Sequence, residues 1–209
     1  MTSGRFITFE GGEGAGKSTQ IRRLADTLEA SGLKVLQTRE PGGSPGAEEI
    51  RSLLVTGEGD RWTGMTEVLL HFAARADHLV RVIRPALAEG TWVLCDRFVD
   101  SSMAYQGVAQ ALGRDVITEL TDLVVGETMP DLTLILDLPV ESGLARAGDR
   151  GEGEDRYEKM GAAFHDTLRQ AFLSIAADAP TRCRVIDATA DIETVSQAIW
   201  AETAKRFSL

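Results

Sequence analysis

Short apolar runs alternate along this chain with longer segments of helical period. Five runs, Arg5–Glu10, Lys34–Thr38, Trp92–Asp96, Leu132–Asp137 and Arg184–Asp187, are each four to six residues long and do not alternate cleanly. That pattern predicts strands covered on both faces. Helical spacing runs over Lys17–Ser31, Gly46–Val55, Thr66–Glu89, Arg114–Gly126, Tyr157–Ala177 and Ile192–Arg206. In the third of these, Val68, Leu69, Phe72, Ala76, Leu79, Val80 and Ile83 trace one apolar face. Repeated strand–helix–strand units predict an α/β fold of three αβα layers around a five-stranded parallel sheet with right-handed crossovers. Ligands of such sheets gather at the carboxyl ends of the strands. The polar residues there are therefore the ones to read for chemistry.

Composition narrows the function classes. A length of 209 residues predicts a single domain, 1–209, large enough to build a core without disulfide or metal staples. Cys95 and Cys183 stand in apolar runs with no ligand spacing, which predicts buried thiols in a reducing cytoplasm. A net charge of −10 without any block of positive residues disfavours nucleic acid and anionic membranes as partners. No apolar run approaches the roughly 18 residues of a membrane span, and Phe6–Phe9 is too short for a signal peptide.

One stretch carries strong chemistry. Gly11-Gly12-Glu13-Gly14-Ala15-Gly16-Lys17-Ser18 matches G-x-x-x-x-G-K-[ST] in full, followed by Thr19, between a predicted strand and a predicted helix. Small residues that tolerate positive φ let successive N–H groups turn inward around an anion. Lys17 supplies a point charge to the β- and γ-phosphates of a nucleotide, Ser18 an oxygen for Mg²⁺, and the helix N-terminus its dipole. The chain contains no asparagine and no Thr-Lys pair, which excludes the guanine-reading segment of a GTPase. Asp96 is followed by Arg97 and Asp137 by Leu138, so neither strand-end aspartate has the neighbouring catalytic glutamate of a motor ATPase.

The segments FEGGEGAGKST, TREPGGS, RSLL, LCDRF…AYQG and RGEGEDRYE occur in the order and spacing of the thymidylate kinase family, which the chain resembles over nearly its whole length. The resemblance implies a P-loop NTPase fold of the nucleoside-monophosphate kinase type with a mobile lid, about 143–157. It also implies transfer of the ATP γ-phosphoryl group to dTMP, and a homodimer formed through the long third helix. An acceptor that is already an anion needs no strong base, so positioning and charge neutralisation carry such a reaction. Arg97, at the end of the third strand, is placed to grip the acceptor phosphate through a bidentate fork, with a structural ion pair as the bland alternative. Asp96 is expected to hold Mg²⁺ through water.

Family position implies that Arg51 assists at the acceptor phosphate while Glu40 and Pro41 shape the floor, although Arg39 and Arg51 also read as solvated arginines. It places Glu13 near the acceptor 3′-OH and the metal. It assigns base reading to Arg75, Ser102, Tyr105 and Gln106, with Tyr105 crowding the 2′ carbon against ribonucleotides. The family stacks a phenylalanine on the base four residues before this arginine. Here that position is His71, with Phe72 next to it, and either ring could serve. The lid is similar to that of the bacterial branch, with Arg150 and Arg156 expected at the phosphates and Arg146 on adenine. Asp155, Tyr157 and Glu158 are expected to order it, and Ala188 to lie at the adenine. Another nucleotide kinase, or a nucleotide-responsive binding module, shares much of this pattern.

Overall fold

The computed structural model describes residues 4–57, 61–148, 157 and 160–209. Its strands are β1 (Phe6–Glu10), β2 (Val35–Arg39), β3 (Trp92–Asp96), β4 (Leu132–Asp137) and β5 (Cys183–Asp187). They form one parallel sheet in the order β2-β3-β1-β4-β5. Register sets Asp96 beside both Phe9 and Arg39, so β1, β2 and β3 end at one level. The helices are α1 (Lys17–Ala30), α2 (Pro45–Val55), α3 (Gly64–His78), α4 (Arg84–Ala88), α5 (Val99–Ser102), α6 (Arg114–Val124), α7 (Val140–Gly148), α8 (Ala162–Asp178) and α9 (Ile192–Phe207).

The alternation hidden in the fully apolar strands separates two cores. Ile7, Phe9 and Leu94 pack against Leu24 and Leu28 of α1 and against Val195 and Ile199 of α9. Phe6, Val93 and Cys95 face the other way, onto Leu79, Ile83 and Phe98. Ile135 and Cys183 meet Leu168, Phe172 and Ile175 of α8 on that same side. Three layers result, as the pattern predicts, and both cysteines are buried and free.

Helix starts follow local chemistry. Ser44 caps α2 through Ala47 N with Pro45 in the first turn, Thr63 caps α3, and Asp191 caps α9 through Glu193 and Thr194. Helix α1 differs: Gly16 precedes it in the left-handed region and no side chain caps it. Its first N–H groups are thus presented to whatever occupies the loop before it.

Three features depart from the predicted pattern. The helix expected over Thr66–Glu89 is a continuous run, but a π-helical turn, Leu79–Ile83, joins α3 to α4 just before Pro85, which has no N–H to continue a regular ladder. On that run Leu69 and Val80 are exposed, at 50% and 62%, while Arg75 occupies the buried stripe with Val68, Phe72 and Leu79. Secondly, α5 and a π-helical turn, Met103–Ala109, follow β3 where no helix is predicted. That segment buries Asp100, Ser102 and Gln106, so it carries no apolar periodicity. Thirdly, α8 begins at Ala162 rather than Tyr157, after Gly161 in an extended conformation.

Below the carboxyl ends of the strands lies a buried polar cluster. Arg182 donates to both oxygens of Asp100 at 2.6 and 2.9 Å and to Thr133 Oγ1 at 2.6 Å, and Thr133 meets Thr8 at 2.8 Å. Asp100 is 5% exposed. Removing its partner strands a charge in a dry site, which is far worse than never burying it. Arg182→Met should therefore lower stability by about 3 kcal/mol in urea unfolding. A loss below about 1 kcal/mol would show that the pair does not hold α5 to the sheet.

Candidate active site

The loop between β1 and α1 forms a cradle in which Gly11, Gly14 and Gly16 take positive φ. Gly14 has φ 68°, and a Cβ there would lie 2.0 Å from the carbonyl oxygen of Gly143. Lys17 folds back so that Nζ donates to Gly11 O at 3.2 Å and Gly12 O at 3.0 Å. Burial, and then Arg97, pull the pKa of this lysine down, against the opposing effect of Asp96, Glu13 and Glu10. Ser18 Oγ donates to Asp96 Oδ2 at 2.9 Å, bringing the end of β3 to the first turn of α1.

Arg97 follows with φ 67°, a backbone conformation that costs a bulky residue about 1–3 kcal/mol. The turn is held on both sides: Arg97 N donates to Phe9 O at 2.9 Å, and Phe98 N to Glu10 Oε1 at 2.7 Å. It throws the guanidinium back over the cradle. Among the described residues, three of its five N–H groups are engaged by Gly11 O and Ser101 Oγ, each at 3.2 Å, and by Glu13 Oε1 at 2.6 Å. Tyr105 supports the arrangement, its hydroxyl donating to Glu13 Oε1 at 2.9 Å and its ring lying 5.1 Å from the guanidinium carbon. Burial by itself would raise the Glu13 carboxyl; Arg97, Lys17 and the Tyr105 hydroxyl outweigh it and hold the pKa at about 2. An acid thus stays ionised inside an anion cradle because a cation touches it.

A cavity of about 330 Å³ runs outward from here. Gly14, Ala15, Gly16, Lys17 and Ser18 wall one end, Asp96 and Arg97 the middle, and Arg75, Ser102, Tyr105 and Gln106 the other end. Arg75 is 2% exposed. It donates through Nε to Glu40 Oε2 at 2.7 Å and through Nη2 to Ser102 Oγ at 3.2 Å. Gln106 Nε2 donates to Glu67 Oε1 at 2.7 Å. Glu40, Pro41 and Arg51 complete the floor, with Arg51 Nη1 donating to Pro41 O at 2.7 Å. Arg39 reaches the rim while paired with Glu48 at 3.0 Å.

The choice between His71 and Phe72 has a geometric answer. His71 lines the cavity and meets the Tyr157 hydroxyl at 3.1 Å. Phe72 does not line it; its ring packs under the Arg75 guanidinium at 4.6 Å, in a cluster with Val68 and Ile117. Tyr157 stands edge-on to Tyr105 at 5.3 Å, so the far end of the expected lid reaches this wall. Residues 143–148 of that lid belong to α7. Arg150, Arg156, Asp155 and Glu158 lie outside the described residues.

The other expected positions gather on the opposite side of the cradle. Thr19, Arg146 and Ala188 line a second cavity of about 770 Å³ together with Gly14, Ala15 and Gly16. Arg146 Nη1 lies 3.5 Å from Ala188 O. Gly11 and Gly12 instead back onto α7 and α8. Gly14, Ala15 and Gly16 of the cradle therefore line both cavities.

Two residues of this site have no signal in the periodicity. Glu10 ends an apolar strand and His78 sits in an apolar helix stripe, so both look like ordinary element residues. Yet Glu10 is fully buried and accepts from Phe98 N and Ser101 Oγ, the latter at 2.6 Å. Burial, and then Asp100, push its carboxyl up to about 8, although Ser101, Arg97 and Phe98 N favour its charged form.

A parallel sheet of this order, an uncapped helix behind a glycine cradle and arginines facing it across a cavity define a P-loop phosphotransferase of the nucleoside-monophosphate kinase type. Comparison with known proteins narrows the class. The sequence model of the family described as thymidylate kinase matches residues 9–199. A thymidylate kinase of Caulobacter vibrioides is 58% identical over 209 residues, with both chains covered in full. One of Magnetococcus marinus is 53% identical over 204 residues, covering 98% of this chain and 97% of that one. The crystal structure of thymidylate kinase from Ehrlichia chaffeensis superposes with a TM-score of 0.79 at 33% identity, covering 96% of this chain and 99% of the other. The chain belongs to the thymidylate kinase family.

The raised Glu10 pKa has a signed consequence. Folding keeps a proton on this carboxyl that the unfolded chain releases near its ordinary 4.5, so the associated stability is full below about pH 4.5 and is lost as pH rises through about 8. Glu10→Gln cannot ionise. The stability of the wild type relative to this variant should therefore fall between pH 4.5 and 8 in thermal melts. A difference that stays flat across that window would contradict the assignment.

Proposed function

We propose that this protein transfers the γ-phosphoryl group of ATP to dTMP, giving dTDP and ADP and so supplying dTTP for DNA synthesis. The observation that carries the reading is the single cavity joining Lys17 and Ser18 at one end to Arg75, Ser102 and Tyr105 at the other, with Arg97 between them. An acceptor phosphate oxygen attacks the γ-phosphorus, the bond to the β-phosphate oxygen breaks, and ADP departs with the electron pair. The acceptor is already anionic, so the protein needs no base and instead holds two repelling anions together.

Each group then has a task. The cradle N–H groups of residues 11–16 and Lys17 hold the donor phosphates, with Thr19 behind them. Arg97, pinned by Glu13 on one edge, offers its remaining N–H groups to the acceptor phosphate, and Arg51 assists from the floor. Glu13 also faces the 3′-OH. The Ser18 hydroxyl and the Asp96 carboxylate, oxygen donors 2.9 Å apart beside the cradle, suit Mg²⁺, which takes few protein ligands and fills the rest with phosphate oxygens and water. When bound, that ion neutralises charge between the phosphates. Arg75 faces O4 of thymine with help from Ser102 and Gln106, His71 stacks on the base, and Tyr105 guards the 2′ carbon. Adenine fits between Arg146 and Ala188, beside the second cavity. On the family pattern alone, Arg150 and Arg156 approach the phosphates when the lid closes.

The reading treats residues 1–209 as one thymidylate-kinase-like unit acting in the cytoplasm. No helix among the described residues is long and apolar enough to cross a membrane. It pairs two copies through the outer face of α3 and the turn after it, where Leu69 and Val80 are exposed.

An ADP-release assay with ATP and a panel of monophosphates tests the substrate. dTMP should turn over far faster than CMP, GMP or deoxythymidine; equal rates point to a different kinase, and no ADP with any acceptor points to a binding module. Arg97→Ala should abolish turnover while leaving ATP affinity within a few fold, and loss of ATP binding would move Arg97 to the donor side. Arg150→Ala should lower kcat by roughly 10³, the scale of an arginine finger, and an unchanged kcat would remove it from the phosphates.

A further inference from the structure

Arg75 reads the acceptor base in the function proposed above, and its geometry raises a question of support. The guanidinium is held edge-on by one carboxylate oxygen, Glu40 Oε2 on Nε, rather than by the two-point fork that arginine and carboxylate usually form. Its Nη2 goes to Ser102, and its Nη1 is buried with no hydrogen-bond partner among the described residues while the residue lines the cavity. An unsatisfied buried donor on a side chain that lines a cavity is a place for a ligand acceptor. What keeps Glu40 from swinging round to occupy that fork is the other end of the carboxylate. Oε1 meets His78 Nδ1 at 3.0 Å.

His78 is itself fully buried and boxed in. Its Nε2 meets Thr38 Oγ1 at 2.8 Å, and Nδ1 carries the hydrogen that the Glu40 carboxylate, which can only accept, receives. Gly43 closes the box. A Cβ there would lie 2.3 Å from His78 Nε2 and 2.6 Å from Thr38 Oγ1. The residue before it, Asp77, accepts from Ser44 Oγ at 2.6 Å, so the β2–α2 loop is joined to α3 at both positions.

We infer that His78 is a positioning residue for base selection: by holding one oxygen of Glu40 it keeps Arg75 in the single-point geometry that leaves Nη1 facing the acceptor base. Without the imidazole N–H, Glu40 Oε1 becomes a buried acceptor whose nearest available donors are on Arg75. The carboxylate then draws in a second guanidinium nitrogen, competes with Ser102 and tilts Nη1 off the cavity. Binding of a base that presents an oxygen acceptor weakens, and its advantage over one that presents an amino donor narrows.

The test is the ratio of kcat/KM for dTMP over dCMP in the intact enzyme. His78→Leu removes the donor at similar volume; it should raise the KM for dTMP and narrow the ratio by about tenfold, the scale of one buried hydrogen bond to a charge, with the KM for ATP little changed. His78→Asn restores an N–H near the Nδ1 position and should recover most of the ratio. Thr38→Val removes only the hydroxyl behind the ring, leaves the chain foldable, and should narrow the ratio in the same direction by about threefold. A ratio equal to the wild type in Thr38→Val, or in a folded His78→Leu whose kcat alone falls, overturns the inference and makes His78 a packing residue. A wild-type enzyme without preference for dTMP would instead overturn the substrate assignment itself.

Discussion

The chain reversal after β3 is the constraint on which the site depends. A parallel strand ending at Asp96 would carry its next side chain away from the cradle of the adjacent strand. The left-handed conformation of Arg97 turns the chain so that its guanidinium lies over Gly11 instead. Such a backbone persists only where the surroundings over-determine it. Here Phe9 O takes one amide and the Glu10 carboxyl group the next. A buried acid in the central strand is thus the counterpart of a strained arginine at the site.

The same device appears twice. Glu10 and Glu40 stand at the carboxyl ends of β1 and β2, on either side of β3; both are almost completely buried, and each divides its two oxygens between different donors. Each in turn stabilises an arginine that lines the cavity, Glu10 through Ser101 and Glu40 directly. The Glu40–Arg75 ion pair does little for net stability once desolvation is counted, but it and the Glu10–Ser101–Arg97 hydrogen-bond chain fix the direction of a guanidinium before a ligand arrives. Preorganisation explains how a chain of net charge −10 can present a local cationic pocket to phosphates. The acids lie behind and beside the arginines, while Lys17 and Arg97 line the first cavity.

Element order, the parallel sheet and the cradle were legible because each depends on residues close in sequence. Gly11, Gly14 and Gly16 are required by backbone geometry that the motif itself encodes, and the strands by apolar runs too short for helices. Helix termini at Ser44, Thr63 and Asp191 are likewise local. The face of α3 was not legible in full: Leu69 and Val80 match the helical period as well as Val68 and Phe72 do, and burial of charged Arg75 in the stripe requires Glu40 from another element. The α5 segment escaped for a related reason, since its polar residues are satisfied by Arg182, Thr133 and Glu67 far away in the chain.

By itself the amino-acid sequence determined that this protein cradles phosphates at the end of a first strand, and that arginines stand at the ends of the second and third. Those are statements about short segments, where sterics and hydrogen-bonding capacity act over a few residues. Only the tertiary structure decided that His71 and not Phe72 walls the cavity, that Glu13 is the partner of Arg97, and that Glu10 and His78 support the arginines from behind. These choices depend on side chains from separate elements meeting within hydrogen-bond distance in a dry interior. No periodicity along one segment records which distant group will satisfy a buried charge.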